Sequence, residues 1–499
     1  MADETSTGSN KLSKNSIGLT GMIMITIAGV LAIIGPLESA AFIGDAGEAA
    51  VWPVILGFVL FALVSLPILE YTRIAPFAGG YYGLAELGFG KGAGKFTSLS
   101  NYFFYNFWQM ANAFFIAFLA VDTVYYLYNI MLPFWSWILF GVITLILTYT
   151  VSVMRAKNLG RVIVAITIPT LVLVVAFIIY VIVKSPYNSP AFLNPGNSST
   201  GISGIFLATA VLGFYLYAGY GASIFFGEEG VKARKNLWRA VYIGLSISAV
   251  VIALSVYSEL IAIPRSDLSV VSGAANPQLV TWTHYFPIGV LMAFNMIVLV
   301  VSMASYAAGG GSQARLLWAM ARDGFIKSKW LGELNPRTGV PSRTALVNFI
   351  LALVTFLSVS SLLVKFYGYN PDTIVLGFFV AGTTSTILWY FHHFVPEFGL
   401  FSFLGKHKEI KYSAKRRLVA GLVIPLAGTT LFIYTFYEGI IGDLVEPYFA
   451  FVILASSIVI ATLLYTFYKQ RKGELGESTV GYMVAESGRS FNDPNQSEK

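Results

Sequence analysis

Four histidines, no cysteine and a few carboxylates stranded in apolar surroundings make up most of the reactive side-chain chemistry of this chain. His284, His392, His393 and His407 form no H-E-x-x-H spacing and no His–Asp/Glu cluster. Without cysteine there is no disulfide framework, thiolate metal site or cysteine nucleophile. These residues do not speak for an enzyme. A membrane-embedded enzyme or receptor is a remote alternative, and a channel would need a filter loop or charged ring that is not in evidence.

The backbone offers a different chemistry. The first apolar run, 17–43, contains Ala32-Ile33-Ile34-Gly35-Pro36-Leu37-Glu38. Proline removes a helix hydrogen bond and clashes with the preceding turn. A charged side chain at mid-membrane costs about 2.5–3.5 kcal/mol on insertion scales, and broken backbone survives there only inside protein or beside a cavity. A second run holds Phe214-Tyr215-Leu216-Tyr217-Ala218-Gly219-Tyr220-Gly221-Ala222. Its two glycines weaken a helix and admit close approach. Free amides at a half-helix start bind an anionic group, and free carbonyls bind a cationic one. Two breaks together suit a zwitterion such as an amino acid. The alternatives are a proline kink with a water-facing Glu38 and a small-residue packing face at Gly219.

These stretches must be positioned by membrane helices. The 499 residues are 56% hydrophobic and 11% charged, against about 25% charged in a globular domain. Mean hydropathy is +0.71. The expected fold is an all-α integral membrane protein with twelve spans: 17–43, 51–69, 99–126, 134–154, 162–183, 204–226, 240–263, 287–307, 345–363, 373–394, 419–437 and 449–467. An even number puts both termini on one side. With a cytoplasmic N-terminus the basic clusters fall inside, and only Lys184, Arg265 and Lys365 fall outside. The net charge of +7 is thereby a topology signal, and no nucleic-acid partner is expected. Residues 1–16 read as a cytosolic tail with no signal peptide, and 469–499 as a disordered cytosolic tail. The outer segment 264–286, with Trp282 and His284, either packs over an outer vestibule or serves as a connector.

Runs one and six head two five-span sets. Because five is odd, the two enter from opposite sides. Breaks at matching positions of inverted halves, 17–183 and 204–395, favour a substrate site at their interface. The pair 416–468 is an addition.

The chain resembles amino acid permeases of the amino acid–polyamine–organocation superfamily. Glu70-Tyr71-Thr72-Arg73-Ile74-Ala75-Pro76-Phe77-Ala78-Gly79-Gly80-Tyr81-Tyr82 is similar to the family's E-L-x-x-x-x-P-x-A-G-G-x-Y. The segment from Glu228 to Ala240 resembles E-x-x-x-P-x-K-N-x-P-R-A, without the prolines, which Ala233 and Trp238 replace. Gln313 to Gly324 resembles R-x-x-x-x-M-A-R-D-G, and Asn335 to Pro341 resembles N-x-x-T-G-x-P. The first break keeps one glycine of the family's G-S-G, and the sixth span lacks the family's acidic residue.

The resemblance implies a five-plus-five inverted-repeat (LeuT-like) fold with broken helices one and six, and alternating access. It places a substrate carboxylate at amides near Ile34 and Gly35, and an ammonium at carbonyls near Ala32 and from Tyr215 to Ala218. Tyr215, four residues before Gly219, would be an aromatic gate. Ile33, Ile34, Tyr215 and Leu216, with Asn106 and Trp108 on the third span, make an apolar, aromatic pocket, so neutral amino acids are the leading substrates. Cationic amino acids, polyamines or exchange are alternatives. Arg315, Arg322 and Asp323, paired with Glu70 or with Glu228 and Glu229, can lock an inner gate; solvated anchors are the alternative. No lysine lies in 162–183, where proton-linked relatives carry one near the position of Thr170. That leaves sodium held by hydroxyls such as Ser302 or Ser305 as an alternative to the favoured proton. Glu38 is a third coupling candidate, and Asp122 a water-facing residue. No cofactor is expected, and the partners are a small-molecule substrate and membrane lipid. The expected location is the cell membrane.

Overall fold

In hydrocarbon a backbone must satisfy its polar groups within the segment, so long apolar runs become helices. The computed structural model describes residues 12, 14–30, 39–74, 79–209, 213–272, 274, 276–407, 412–437 and 448–479. Among them the regular structure is helical, with one isolated bridge between Ile17 and Gly230.

Helices α1 (Leu19–Gly29) and α2 (Ser39–Ala46) come first. They flank residues 31–38, which lie outside the described residues, as does the expected break at Ile34 to Pro36. Next come α3 (Val51–Ile74), α4 (Tyr81–Phe89) and α5 (Lys91–Tyr128). Gly80 opens α4 at φ +54°, a conformation that favours glycine. Helices α6 (Phe134–Ser152) and α7 (Ala156–Lys184) follow. The sixth run holds α8 (Gly201–Ala208), α9 (Phe214–Tyr217) and a 3-10 segment, Ala218–Phe226, with 210–212 outside the described residues. Helix α10 is Ala233–Leu260, and the short α11 (Leu268–Ser272) and α12 (Pro277–Trp282) fold the segment after it. Then come α13 (Ile288–Ser305), α14 (Ala307–Arg322), α15 (Lys329–Gly332), α16 (Ser342–Tyr367) and α17 (Pro371–Lys406). The last are α18 (Ala414–Leu418), continuing through a π turn into α19 (Ile424–Phe436), and α20 (Tyr448–Arg471).

Ten spans among the described residues are long and apolar enough to cross a membrane: α3, α5, α6, α7, α10, α13 with α14, α16, α17, α18 with α19, and α20. Runs one and six include residues outside the described ones, 31–38 and 210–212, and are not among these ten. Exposed apolar side chains such as Val172 (63%) and Leu464 (61%) cover the outer helices, as lipid solvation requires.

Two helices exceed their expected lengths. The third span starts at Lys91 because Lys95 is buried among polar partners and need not reach water. The tenth continues through Pro396 to Lys406 because its flanks pack on α4, α5 and α20, which outweighs one lost hydrogen bond. The described part of the expected disordered tail is ordered. Helix α20 carries on to Arg471, and residues through Thr479 dock on the protein, with the Glu477 amide donating to the Asp323 carbonyl at 2.7 Å. We call residues 472–479 the strap.

Candidate functional site

Helix α1 and the 3-10 segment touch through backbone. A Cβ on Gly219 would lie 2.1 Å from the Gly29 carbonyl oxygen, and one on Gly29 would lie 2.3 Å from that of Gly219. Only glycine permits this crossing. It sits at the last turn of α1 and the start of the 3-10 segment. One turn on, the Thr26 and Ser223 hydroxyls hydrogen-bond at 2.9 Å, and Thr26 Oγ1 lies 3.1 Å from the Met22 carbonyl.

Towards the face that carries the basic clusters the packing is closed. The Ser16 and Ile17 amides donate to the Glu229 carbonyl at 2.7 and 3.1 Å, tying the foot of α1 to the segment after the 3-10 turn. The Glu229 carboxylate pairs with Arg315 of α14, both fully buried, and the guanidinium lies 4.0 Å from the Phe226 ring centroid. A second cluster lies nearer the surface. Tyr82 donates to Asp323 Oδ2 at 2.6 Å, and Lys95 approaches the same oxygen at 3.7 Å while donating to Tyr82. Arg322 donates to Asp323 Oδ1 at 3.0 Å and approaches Glu228 at 3.9 Å. The strap caps this cluster. Lys95 donates to the Glu477 carbonyl at 3.2 Å, Arg322 donates to Thr479 at 3.1 Å, and Ser478 donates to Glu86. Burial raises the Asp323 carboxyl above the usual range despite Arg322 and Lys95, and burial raises that of Glu86 as well.

Towards the opposite face a cavity of about 1310 Å³ opens. Ala40 and Ala41 of α2 line it, so it reaches the residues that follow the first break. Phe115 and Phe118 of α5 and Phe378 of α17 give it an aromatic wall, and Asp122 a carboxylate. The segment expected either to pack or to connect does pack. Asn276 donates to Asp122 at 3.2 Å and to Thr123 at 3.1 Å, and Trp282 is buried.

A closed, ion-paired end, an open end and the close crossing of α1 with the 3-10 segment between them make an arrangement for passing a small molecule. The family model described as Amino acid permease matches residues 15–469. The chain belongs to this family. The permease is also similar to the low-affinity putrescine importer PlaP of Escherichia coli, strains K12 and O157:H7. Each is 21% identical over 337 residues, covering 64% of this chain and 72% of the importer.

Several residues singled out in the sequence lie outside what the structure of the permease describes. These are Ala32, Ile33, Ile34, Gly35 and Glu38, together with the side chains of Tyr215 and Ser305. Leu216 is fully buried beside the crossing. The Ala218 carbonyl accepts the Trp389 indole N–H at 3.1 Å, which leaves it one lone pair. Asn106 donates to Thr355 of α16 at 3.2 Å, and Trp108 meets Tyr306 edge-on at 5.7 Å. Both side chains are buried, and Asn106 Oδ1 and the Trp108 indole N–H have no partner among the described residues. Thr170 spends its hydroxyl proton on the Ile166 carbonyl of its own helix at 2.8 Å. The buried Ser302 hydroxyl has no partner among the described residues. Of the expected partners for the arginines, Glu228 and Glu229 are used. Glu70 instead pairs with Arg73 at 3.4 Å and with Arg416, because α18 folds back beside α3.

Two buried carboxylates were missed. Glu259 on α10 accepts from Ser39 at the start of α2. Glu397 on α17 contacts His393, and the same histidine contacts Tyr220 of the 3-10 segment. This corrects the reading that no histidine keeps company with a carboxylate. His393 and Glu397 are four apart, one helical turn, and that spacing was the available signal.

Proposed function

We propose that this permease is a secondary carrier that moves amino acids, neutral ones first, across the cell membrane by alternating access. The crossing at Gly29 and Gly219, between a closed ion-paired face and an open cavity, carries this reading. The scaffold is a twelve-span, five-plus-five inverted repeat of the LeuT-like kind. Its broken first helix is α1 with α2, and its broken sixth is α8, α9 and the 3-10 segment. The basic face is cytoplasmic, with both termini on that side. Amides near Ile34 and Gly35 take the substrate carboxylate. Carbonyls near Ala32 and along Tyr215 to Ala218 take the ammonium, and Tyr215 gates the site. The Glu229–Arg315 pair and the Lys95–Asp323–Arg322 cluster form the inner gate. Charge pairs away from water hold such a gate shut only while both partners remain, since a lone buried charge is costly. The driving ion is the proton, ahead of sodium or pure exchange.

A second reading has observations of its own. Asp122 in the cavity wall and Glu259 beside Ser39 put two carboxylates on the open side, and the similar importer carries putrescine. Both favour a cationic amino acid or polyamine.

A thermal-shift screen over the twenty amino acids and putrescine tests the substrate class. A ligand at a hundred times its Kd stabilises by about 2.7 kcal/mol. Stabilisation by neutral amino acids is the expected result. Stabilisation by putrescine alone transfers the assignment to polyamines, and no shift with any of them counts against the carrier.

A further inference from the structure

We propose that His393 and Glu397 of α17, with Tyr220 of the 3-10 segment, form a proton-binding site that controls opening of the basic face. The inference rests on the carrier reading and supplies its proton site. All three side chains are fully buried. Tyr220 Oη meets His393 Nε2, and His393 Nδ1 meets Glu397 Oε1. Glu397 Oε2 has no partner among the described residues. The site lies next to the crossing, since Tyr220 follows Gly219 directly. Helix α17 holds that region twice: His393 meets Tyr220, and Trp389, which stacks on His393 of its own helix with ring centroids 4.0 Å apart, donates its indole N–H to the Ala218 carbonyl at 3.1 Å.

An ionisable pair sealed in a membrane helix is expensive and marks function more often than packing. The groups facing it are Tyr81 of α4 and Tyr390 and His392 of α17, while Tyr81 and Tyr242 of α10 face Tyr220. Tyr81 packs its ring 5.0 Å from that of His393, and Phe104 of α5 lies 4.9 Å from His392. Among the described residues no lysine or arginine forms an ion pair with Glu397.

The proton count then follows. Without an added proton, Tyr220 donates to Nε2 and Nδ1–H donates to the carboxylate, leaving a net charge of −1. One proton from water adds to the pair as an N–H or O–H bond and brings the net charge to zero. The neutral pair suits the dry packing seen here. The anionic pair suits an arrangement that admits water, because an uncompensated buried charge is strongly disfavoured. Proton binding therefore favours the closed basic face, and proton loss favours its opening.

The cysteine-free chain permits a test that needs no substrate. Ser223 is buried on the 3-10 segment. A Ser223→Cys protein in nanodiscs is labelled with a membrane-impermeant maleimide between pH 5 and 9, and its rate is normalised to that of Lys157→Cys at the exposed surface. The normalised rate is expected to rise with pH, by up to about tenfold per pH unit where one linked proton dominates. Adding Glu397→Gln, which holds the pair uncharged at the carboxylate, is expected to abolish that slope and leave labelling slow. His393→Gln provides an independent second variant, expected to move or abolish the slope. A slope unchanged in both variants, or no slope in the parent, overturns the proposal. Counterflow in proteoliposomes tests the carrier reading separately, so failure of one is distinguishable from failure of the other.

Discussion

At Gly219 a hydrogen stands where any other residue would carry a carbon, and that carbon would lie 2.1 Å from a carbonyl oxygen of α1. Because the obstruction is backbone, no rotamer change relieves it. Overpacking typically costs about 1–3 kcal/mol, and Gly219→Ala is expected to lower Tm by at least that equivalent. An unchanged Tm by differential scanning fluorimetry would contradict the crossing. The arginines differ in the same local terms. Arg315 is fully buried against Glu229, whereas the Arg322 side chain is 9% exposed and stands 3.9 Å from Glu228. Removing one partner of a buried pair costs about 3–5 kcal/mol. Arg315→Ala is therefore expected to raise basic-face labelling of Ser223→Cys more than Arg322→Ala does. Equal or unchanged rates would remove both from the gate.

Among the elements, the strap gives α4 and α14 a cover that includes ionisable groups. Its exposed Lys327–Glu474 pair, at 2.8 Å, contributes little, as surface pairs do. Its backbone contacts reach Asp323 and Lys95, both fully buried, and hold it in place. Glu86, below Ser478, has its carboxyl raised by burial. A carboxyl raised in the fold contributes no penalty while protonated, and destabilises as pH climbs from the unfolded value through the folded one. Glu86→Gln is uncharged at every pH and keeps an oxygen for Ser478. It is expected to raise Tm above the parent near pH 7.5, with the difference closing towards pH 4. A difference that does not change with pH would contradict the burial of that carboxyl. None of this was legible in the tail's composition, which is polar and lacks an apolar period. Its order comes from a pocket that α4, α5 and α14 build from distant sequence.

For the whole molecule, periodicity and charge carried far. Long apolar runs gave ten spans among the described residues, and Gly219 and Gly221 fall in the segment that turns 3-10, while Gly35-Pro36 lies outside the described residues. What stayed hidden depends on contacts across the chain. Tyr220 and His393 are 173 residues apart, and Ser39 and Glu259 are 220 apart. The direct test of a carrier is counterflow in proteoliposomes loaded with unlabelled amino acids or putrescine, with the labelled compound outside. Alternating access through one site is expected to give saturable uptake that speeds up when the same compound is inside. Non-saturable uptake indifferent to the internal compound, or no uptake of any of these compounds, would contradict it.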